Sequence, residues 1–228
     1  MPTFDDSFLA VLSALRDRYG RPAGLAPAEP FLAVAAAVLA GDVSPQKAIS
    51  ARAAMGEANF LDPATLAAAD AVDVAEVFRE TPLGLKHKAI GTLLRLARWL
   101  SERDQGDEGS LADRATETLR EELAAINGIG RATADRLLLH ALRRPVYPLD
   151  RATYRVFVRH GWLEPSADYD EARGVVERPL ANDPPGLGGF ATLMELVGRE
   201  FCRVGAPRCE RCPLRPWLPE TGPVDPSV

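Results

Sequence analysis

Three short stretches of this chain carry residue types whose spacing can do chemistry. The first, residues 123–139, reads LAAINGIGRATADRLLL. A helix running into Ile126-Asn127-Gly128-Ile129-Gly130 must turn sharply before a second helix starts at Arg131. Gly128 and Gly130 permit positive φ and let a ligand approach bare backbone, while Ile126 and Ile129 are expected to anchor the turn in the core. Amides at the start of the second helix point outward with the positive end of its dipole, which suits a phosphate. Asn127, Gly128, Ile129, Gly130, Arg131 and Thr133 are therefore candidate contacts to a phosphodiester backbone, and such contacts are indifferent to base sequence. In isolation a plain helical hairpin ending in glycines would look the same.

The second stretch follows directly: Val146-Tyr147-Pro148-Leu149-Asp150, then Arg151-Ala152-Thr153-Tyr154-Arg155-Val156. Asp150 has two readings, which are compatible. It is placed to cap a helix, and a carboxylate there can stabilise positive charge building on a sugar and activate a nucleophile. The third stretch holds all three cysteines, Cys202-x6-Cys209-x2-Cys212. In a reducing compartment such a cluster reads as a metal site before it reads as disulfides. Arg203, Arg208, Arg211 and Arg215 interleave with the thiols and suit phosphate contact.

Taken together, the hairpin, the helix after it, the Pro-x-Asp and the x-x-x-Tyr-Arg-Val resemble the endonuclease III and adenine-glycosylase superfamily of helix-hairpin-helix DNA glycosylases. The resemblance runs from about Pro30 to Leu218, and Gly84-Leu85-Lys86-His87-Lys88-Ala89 resembles the loop and helix that precede the hairpin in that family. It implies an all-α, two-lobed fold in which DNA lies across a cleft with Asp150 at its mouth as the catalytic carboxylate. It also implies Lys88, Arg203 and Arg208 as further DNA contacts, and an iron–sulfur loop, with Cys202, Cys209 and Cys212 as three of the four ligands of a [4Fe-4S] cluster.

Three departures qualify that implication. Members of the family that also cleave the strand carry Lys where this chain has Ala132. Without an amine there no Schiff base forms by the family route, and water activated by Asp150 is the remaining nucleophile. Lys86 or Lys88 would substitute only if their helix faced the cleft, and the expectation is that it does not. The segment between Phe31 and Asp42 is shorter than in relatives whose loop inserts a polar residue into the gap left by a flipped base, and Val38-Leu39-Ala40-Gly41-Asp42 offers no Gln. Finally, the spacing at which a fourth cysteine falls in the family is occupied by Leu218. The leading expectation is a cluster whose fourth ligand is absent or not cysteine, with Glu220, Asp225 or water as candidates. A zinc site, or a loop that has lost its metal and keeps reduced thiols, are the alternatives.

The elements that must position these groups are helical. Phe8, Leu9, Val11, Leu12 and Leu15 have helical spacing, closed by Gly20 and Pro22. Further helices are expected over 30–40, after Ser44-Pro45, after Asp62-Pro63, from Asp73, over 84–103, on both sides of the hairpin, from Asp150 to about His160, and near 169–180 and 188–204. Residues 104–109 read as a polar loop, and the tail after Cys212 as irregular. A helical-barrel lobe over 25–140 and a second lobe made of 1–24 with 141–228 are the expected domains. His87, His140 and His160 show no metal spacing and are read as surface or satisfied side chains. Trp99, Trp162 and Trp217 are read as packing residues.

The 228 residues carry a net charge of −5 with 46% hydrophobic and 26% charged residues, an ordinary globular balance that argues against indiscriminate nucleic-acid binding by a basic tail. Of the 27 basic residues only Lys47, Lys86 and Lys88 are lysine, and arginine cannot serve as an amine nucleophile. With no secretory leader and no apolar run long enough to span a bilayer, a cytoplasmic, monomeric protein without a membrane role is expected. The expected function is excision of a damaged or mismatched base from double-stranded DNA without strand cleavage, an abasic site being left behind. A catalytically inactive paralogue that binds damaged or abasic DNA is the competing reading. A helical protein-interaction module leaves the hairpin and Asp150 unexplained.

Overall fold

Capping chemistry sets most of the helix starts. The computed structural model describes residues 3–22, 25, 28–41, 43–103 and 111–226, and among them there is no β-strand. Helices α1 (Phe4–Tyr19), α2 (Phe31–Ala40), α3 (Pro45–Glu57), α4 (Pro63–Ala68), α5 (Ala71–Arg79) and α6 (His87–Ser101) are followed by α7 (Thr116–Ala125), α8 (Arg131–His140), α9 (Arg151–Arg159), α10 (Tyr169–Glu177) and α11 (Pro184–Glu200). No described helix is long and apolar enough to cross a membrane. The expected polar loop over 104–109, and Asp42 in the shortened segment, lie outside the described residues.

Several boundaries differ from the expectation for local reasons. Asp70, not Asp73, caps α5, because its Oδ1 accepts the Val72 amide at 2.9 Å. Lys86 lies in extended backbone, so α6 begins at His87 rather than at 84. Past Glu177 the α10 helix tightens into a 3-10 turn, Arg178–Leu180, where Pro179 has no amide to donate. Asp183 starts α11 four residues before Gly188, its Oδ1 accepting the Gly186 amide at 3.0 Å with two prolines in the first turn, and the helix ends at Glu200.

The chain divides into two compact units. One, Leu25–Arg144, holds α2 to α8 around the almost wholly buried α2, with Phe31, Leu32, Ala33, Ala35 and Ala36 no more than 1% exposed. Alanines let neighbouring helices approach it closely. The other, Met1–Gly24 with Pro145–Val228, holds α1 and α9 to α11 around an aromatic core in which Phe4 meets Phe8, Phe157, Trp162 and Phe190. Helices α9 and α11 touch where Gly198 faces Ala152, and a Cβ at Gly198 would collide with the Ala152 side chain.

Candidate nucleic-acid interface and carboxylate site

The hairpin is built from α7 and α8, and a buried ion pair joins the two. Arg120 Nε donates to Asp135 Oδ1 at 2.6 Å, with Asp135 fully buried. Arg120 also pairs with Glu117. The turn between them is fixed by Gly128, whose φ is +99° and whose missing Cβ would overlap Thr92 Oγ1 of α6. Arg95, also on α6, donates from Nε to the Asn127 carbonyl at 2.8 Å and from Nη2 to Thr92 Oγ1 at 3.1 Å. Ile129 is buried and Ile126 half-buried, so the anchoring role falls mainly on Ile129.

Gly130 does not use the positive φ that glycine permits: its φ is −90°, a conformation open to any residue, and a Cβ there would meet nothing within 4 Å. The fold therefore does not require glycine at 130. Asn127, Gly128, Gly130 and Arg131 are exposed, and Thr133 is half-buried. The first amides of α8 have no acceptor within their own helix, by helix geometry.

Lys86 and Lys88 lie beside the hairpin. Both line one depression of about 320 Å³ together with Gly128 and Thr133 of the hairpin and Gly41 at the end of α2. Lys88 is exposed and its carbonyl accepts the Thr92 hydroxyl at 3.0 Å. The amines thus stand on the hairpin side of α6. No side-chain period announces this, because the turn at Gly84 (φ +57°) decides how α6 is presented.

The second site belongs to the other unit. Asp150 caps α9, its Oδ1 accepting the Thr153 amide at 2.7 Å. Beneath it the buried Thr153 hydroxyl lies 3.0 Å from the Tyr147 hydroxyl, and the Tyr147 amide donates to Glu177 Oε1 at 2.6 Å. Glu177 is held in turn by Arg173 at 3.0 Å. A pocket of about 560 Å³ opens on Asp150, walled by Tyr154, Tyr169, Arg151, Arg155 and Val204. The Tyr154 hydroxyl is committed to the Pro165 carbonyl at 2.6 Å, leaving its ring as wall. In the sequence Tyr154 stands out only within the x-x-x-Tyr-Arg-Val pattern, and neither Tyr169 nor the Tyr147–Thr153 support stands out. An i, i+6 hydroxyl pair bridging a proline turn has no periodic signature.

The cysteine segment lies in the same unit. Cys202 is buried, Cys209 and Cys212 are half-buried, and all three are free thiols lining one small cavity together with Leu218, Arg159 and His160. Burial pushes the Cys202 and Cys212 thiols up, the latter to about 11. Arg203, Arg208, Arg211 and Arg215 are exposed, and Arg215 meets Glu210 at 3.1 Å. His160 is buried against Trp162, ring centroids 4.7 Å apart, with its nitrogens at the carbonyls of Val156 (2.7 Å) and Leu214 (3.2 Å). Trp99 is also buried, Trp217 is half-buried and His87 is exposed.

No family model matches the chain. A Methanocaldococcus jannaschii protein named as a DNA repair glycosylase is 37% identical over 48% of this chain and 49% of its own. Sulfolobus acidocaldarius endonuclease III is 32% identical over 43% of this chain and 44% of its own. This chain thus matches about half the length of each of these relatives. Thermotoga maritima endonuclease III is 26% identical over 68% of this chain and 67% of its own. Among solved structures, a trapped endonuclease III–DNA covalent intermediate superposes with a TM-score of 0.63 at 20% identity over 96% of this chain and 97% of that one. A thermostable thymine-DNA glycosylase does so at 0.62 and 14%, over 94% of each chain. In sequence the chain is similar to DNA repair glycosylase and endonuclease III proteins over part of its length, and its fold is the one seen in the endonuclease III structure.

A [4Fe-4S] cluster is the cofactor expected of the cysteine segment, and the residues present do not fit it. Four ligands are needed, and of the side chains beside the three thiols Leu218 has no donor atom, Arg159 is a cation, and His160 has both nitrogens at backbone carbonyls. The cavity among them is about 10 Å³, room for about one water. Among the described residues no group of three or more His, Cys, Asp or Glu side chains is arranged to hold a metal ion.

Proposed function

We propose that this chain is a base-excision DNA glycosylase of the monofunctional kind, hydrolysing the N-glycosidic bond of a damaged or mismatched base in double-stranded DNA. The observation that carries the reading is Asp150, held by its own helix start on the wall of an aromatic-lined pocket of about 560 Å³. As the C1′–N bond lengthens, its electron pair leaves with the base and positive charge builds on the sugar. The Asp150 carboxylate stabilises that charge and takes a proton from the attacking water, whose oxygen bonds to C1′. The Tyr147–Thr153 pair fixes the turn that presents the carboxylate, and such positioning is itself a large part of catalysis.

The hairpin supplies affinity. Asn127, Gly128, Ile129, Gly130, Arg131 and Thr133 offer amides and a guanidinium to phosphate, and Lys88, Arg203 and Arg208 are exposed cations suited to the same backbone. Ala132 supports a reaction that ends at the abasic site, since the position from which relatives form a Schiff base carries no amine. The depression shared by Lys86, Lys88 and the hairpin favours a second reading, an inactive paralogue that binds abasic DNA.

The test is a panel of end-labelled duplexes, each with one lesion, split after incubation into samples with alkali, without alkali, and with borohydride. Strand breaks that need alkali, with no borohydride-trapped adduct, are expected. Breaks without alkali, with an adduct lost on Lys88→Ala or Lys86→Ala, would replace the monofunctional reading with an amine displaced to α6. Tight binding of abasic duplex without turnover on any lesion would establish the binding paralogue.

A further inference from the structure

The cysteine loop contains a second set of contacts that the proposed chemistry does not use, and they converge on residues 202–204. Arg159, 6% exposed, donates from Nη1 to Cys202 Sγ at 3.1 Å and to the Arg203 carbonyl at 2.9 Å, and from Nη2 to the Val204 carbonyl at 3.4 Å. One turn earlier on α9, Arg155 donates from Nε and Nη2 to the Cys202 carbonyl at 3.3 and 3.2 Å. Its Nη1 holds the Arg151 carbonyl at 3.0 Å, next to Asp150. The far half of the loop is pinned separately. Leu214 is fully buried and its carbonyl meets His160 Nε2, while the Val224 amide returns to the Arg159 carbonyl at 3.1 Å.

These contacts do the task a cluster does in a loop of this kind: they close a segment without regular structure onto the helix beneath it. Carbonyls that no helix or sheet satisfies are instead satisfied by two forked cations, and charge-assisted hydrogen bonds are the strong ones. At the place where a fourth thiolate would complete a cluster the chain has an apolar side chain, and the space among the thiols holds about one water.

We infer that the cysteine loop is a metal-free element, held in its DNA-facing form by Arg155 and Arg159 of α9 rather than by an iron–sulfur cluster. Both arginines are positioning residues. Since α9 starts at Asp150, and Val204 lines the Asp150 pocket, the same helix sets the carboxylate and the wall opposite it. The inference does not depend on which base is excised, nor on excision occurring.

The experiment uses the full chain and two readouts that do not require activity. Iron and acid-labile sulfide are measured after anaerobic isolation and again after incubation with ferrous iron and sulfide. Well under one iron per chain is expected in both, and a stoichiometric cluster in either overturns the inference. Hydrogen exchange is then followed at the amides of Cys202, Arg208 and Cys212, which donate within the loop and to the end of α11. The triple variant Cys202→Ser, Cys209→Ser, Cys212→Ser is expected to keep wild-type protection. Arg159→Gln is expected to raise exchange at these amides by about tenfold or more while protection in α1 is unchanged. Arg159→Lys should recover part of the protection. Should Arg159→Gln not fold, Arg155→Gln removes the two bonds to the Cys202 carbonyl, along with the one to the Arg151 carbonyl within α9, and is expected to shift loop exchange in the same direction by less. Loop opening in the triple serine variant, with protection kept in the arginine variants, would show that the thiols hold the loop.

Discussion

The hairpin between α7 and α8 and the loop that carries the cysteines are both exposed surfaces suited to phosphate, and they are held in opposite ways. The hairpin is braced from within: a buried Arg120–Asp135 pair 15 positions apart, a glycine at positive φ, and two side chains of the preceding helix beneath the turn. The cysteine loop is braced from outside, by Arg155, Arg159 and His160 acting across 43 to 54 positions. An internal brace makes a feature inseparable from its unit's stability. An external brace lets a loop open while the unit beneath stays folded. The two surfaces should therefore fail differently.

The largest effect is expected at the brace of the hairpin. Asp135→Ala leaves the buried Arg120 with only the exposed Glu117 as its acidic partner and should cost about 3 kcal/mol in a urea melt. A cost within about 1 kcal/mol of zero would mean that the pair does not hold the hairpin.

Acid sensitivity separates the units next. Burial, with Arg136 and Arg143 nearby, pushes the His140 imidazole from 6.5 down to about 4. The unfolded chain then binds the proton more readily than the folded one. The stabilisation is complete above pH 6.5 and is lost as pH falls toward 4, on the order of 3 kcal/mol in all. His140→Gln should flatten that part of the stability–pH curve. His160 is pushed down by burial too, but the Val156 and Leu214 carbonyls oppose the shift, so His160→Gln should flatten it less.

The smallest effects come from the two hairpin glycines and should split cleanly. Gly128→Ala forces a side chain into left-handed backbone and into Thr92, and should destabilise by about 2 kcal/mol. Gly130→Ala should leave the melt within about 0.5 kcal/mol and weaken binding to abasic duplex by about tenfold, because only an approaching phosphate meets the new methyl. Equal melts for the two variants would remove the distinction between the glycine that builds the turn and the glycine that leaves room for a ligand.

The same contrast explains what the sequence made legible. The all-helical fold, the caps at Asp62 and Asp150, the hairpin glycines and the Pro-x-Asp turn depend on contiguous residues, and contiguous residues are what a sequence displays. The start of α11 lies four residues before the expected 188, because Pro184 and Pro185 occupy its first turn, where prolines begin a helix. Of the two glycines that permit positive φ only Gly128 uses it, because one left-handed residue already makes the turn. The bracing roles of Arg155 and Arg159 are not legible in sequence, since nothing near them shows the carbonyls they meet. The depression shared by Lys86, Lys88 and the hairpin was missed for the same reason: its shape depends on the turn at Gly84, and the α6 helix pattern cannot report it.

The most direct test of the account is single-turnover base excision by Asp150→Asn beside its thermal melt. Asparagine caps a helix about as well as aspartate, so the substitution separates the structural role of residue 150 from the chemical one. The account predicts a melt within a degree or two of wild type, and excision slowed by at least about a hundredfold on whichever lesion the wild type accepts. Excision at an unchanged rate with an unchanged melt would contradict it and leave Asp150 as a helix cap alone.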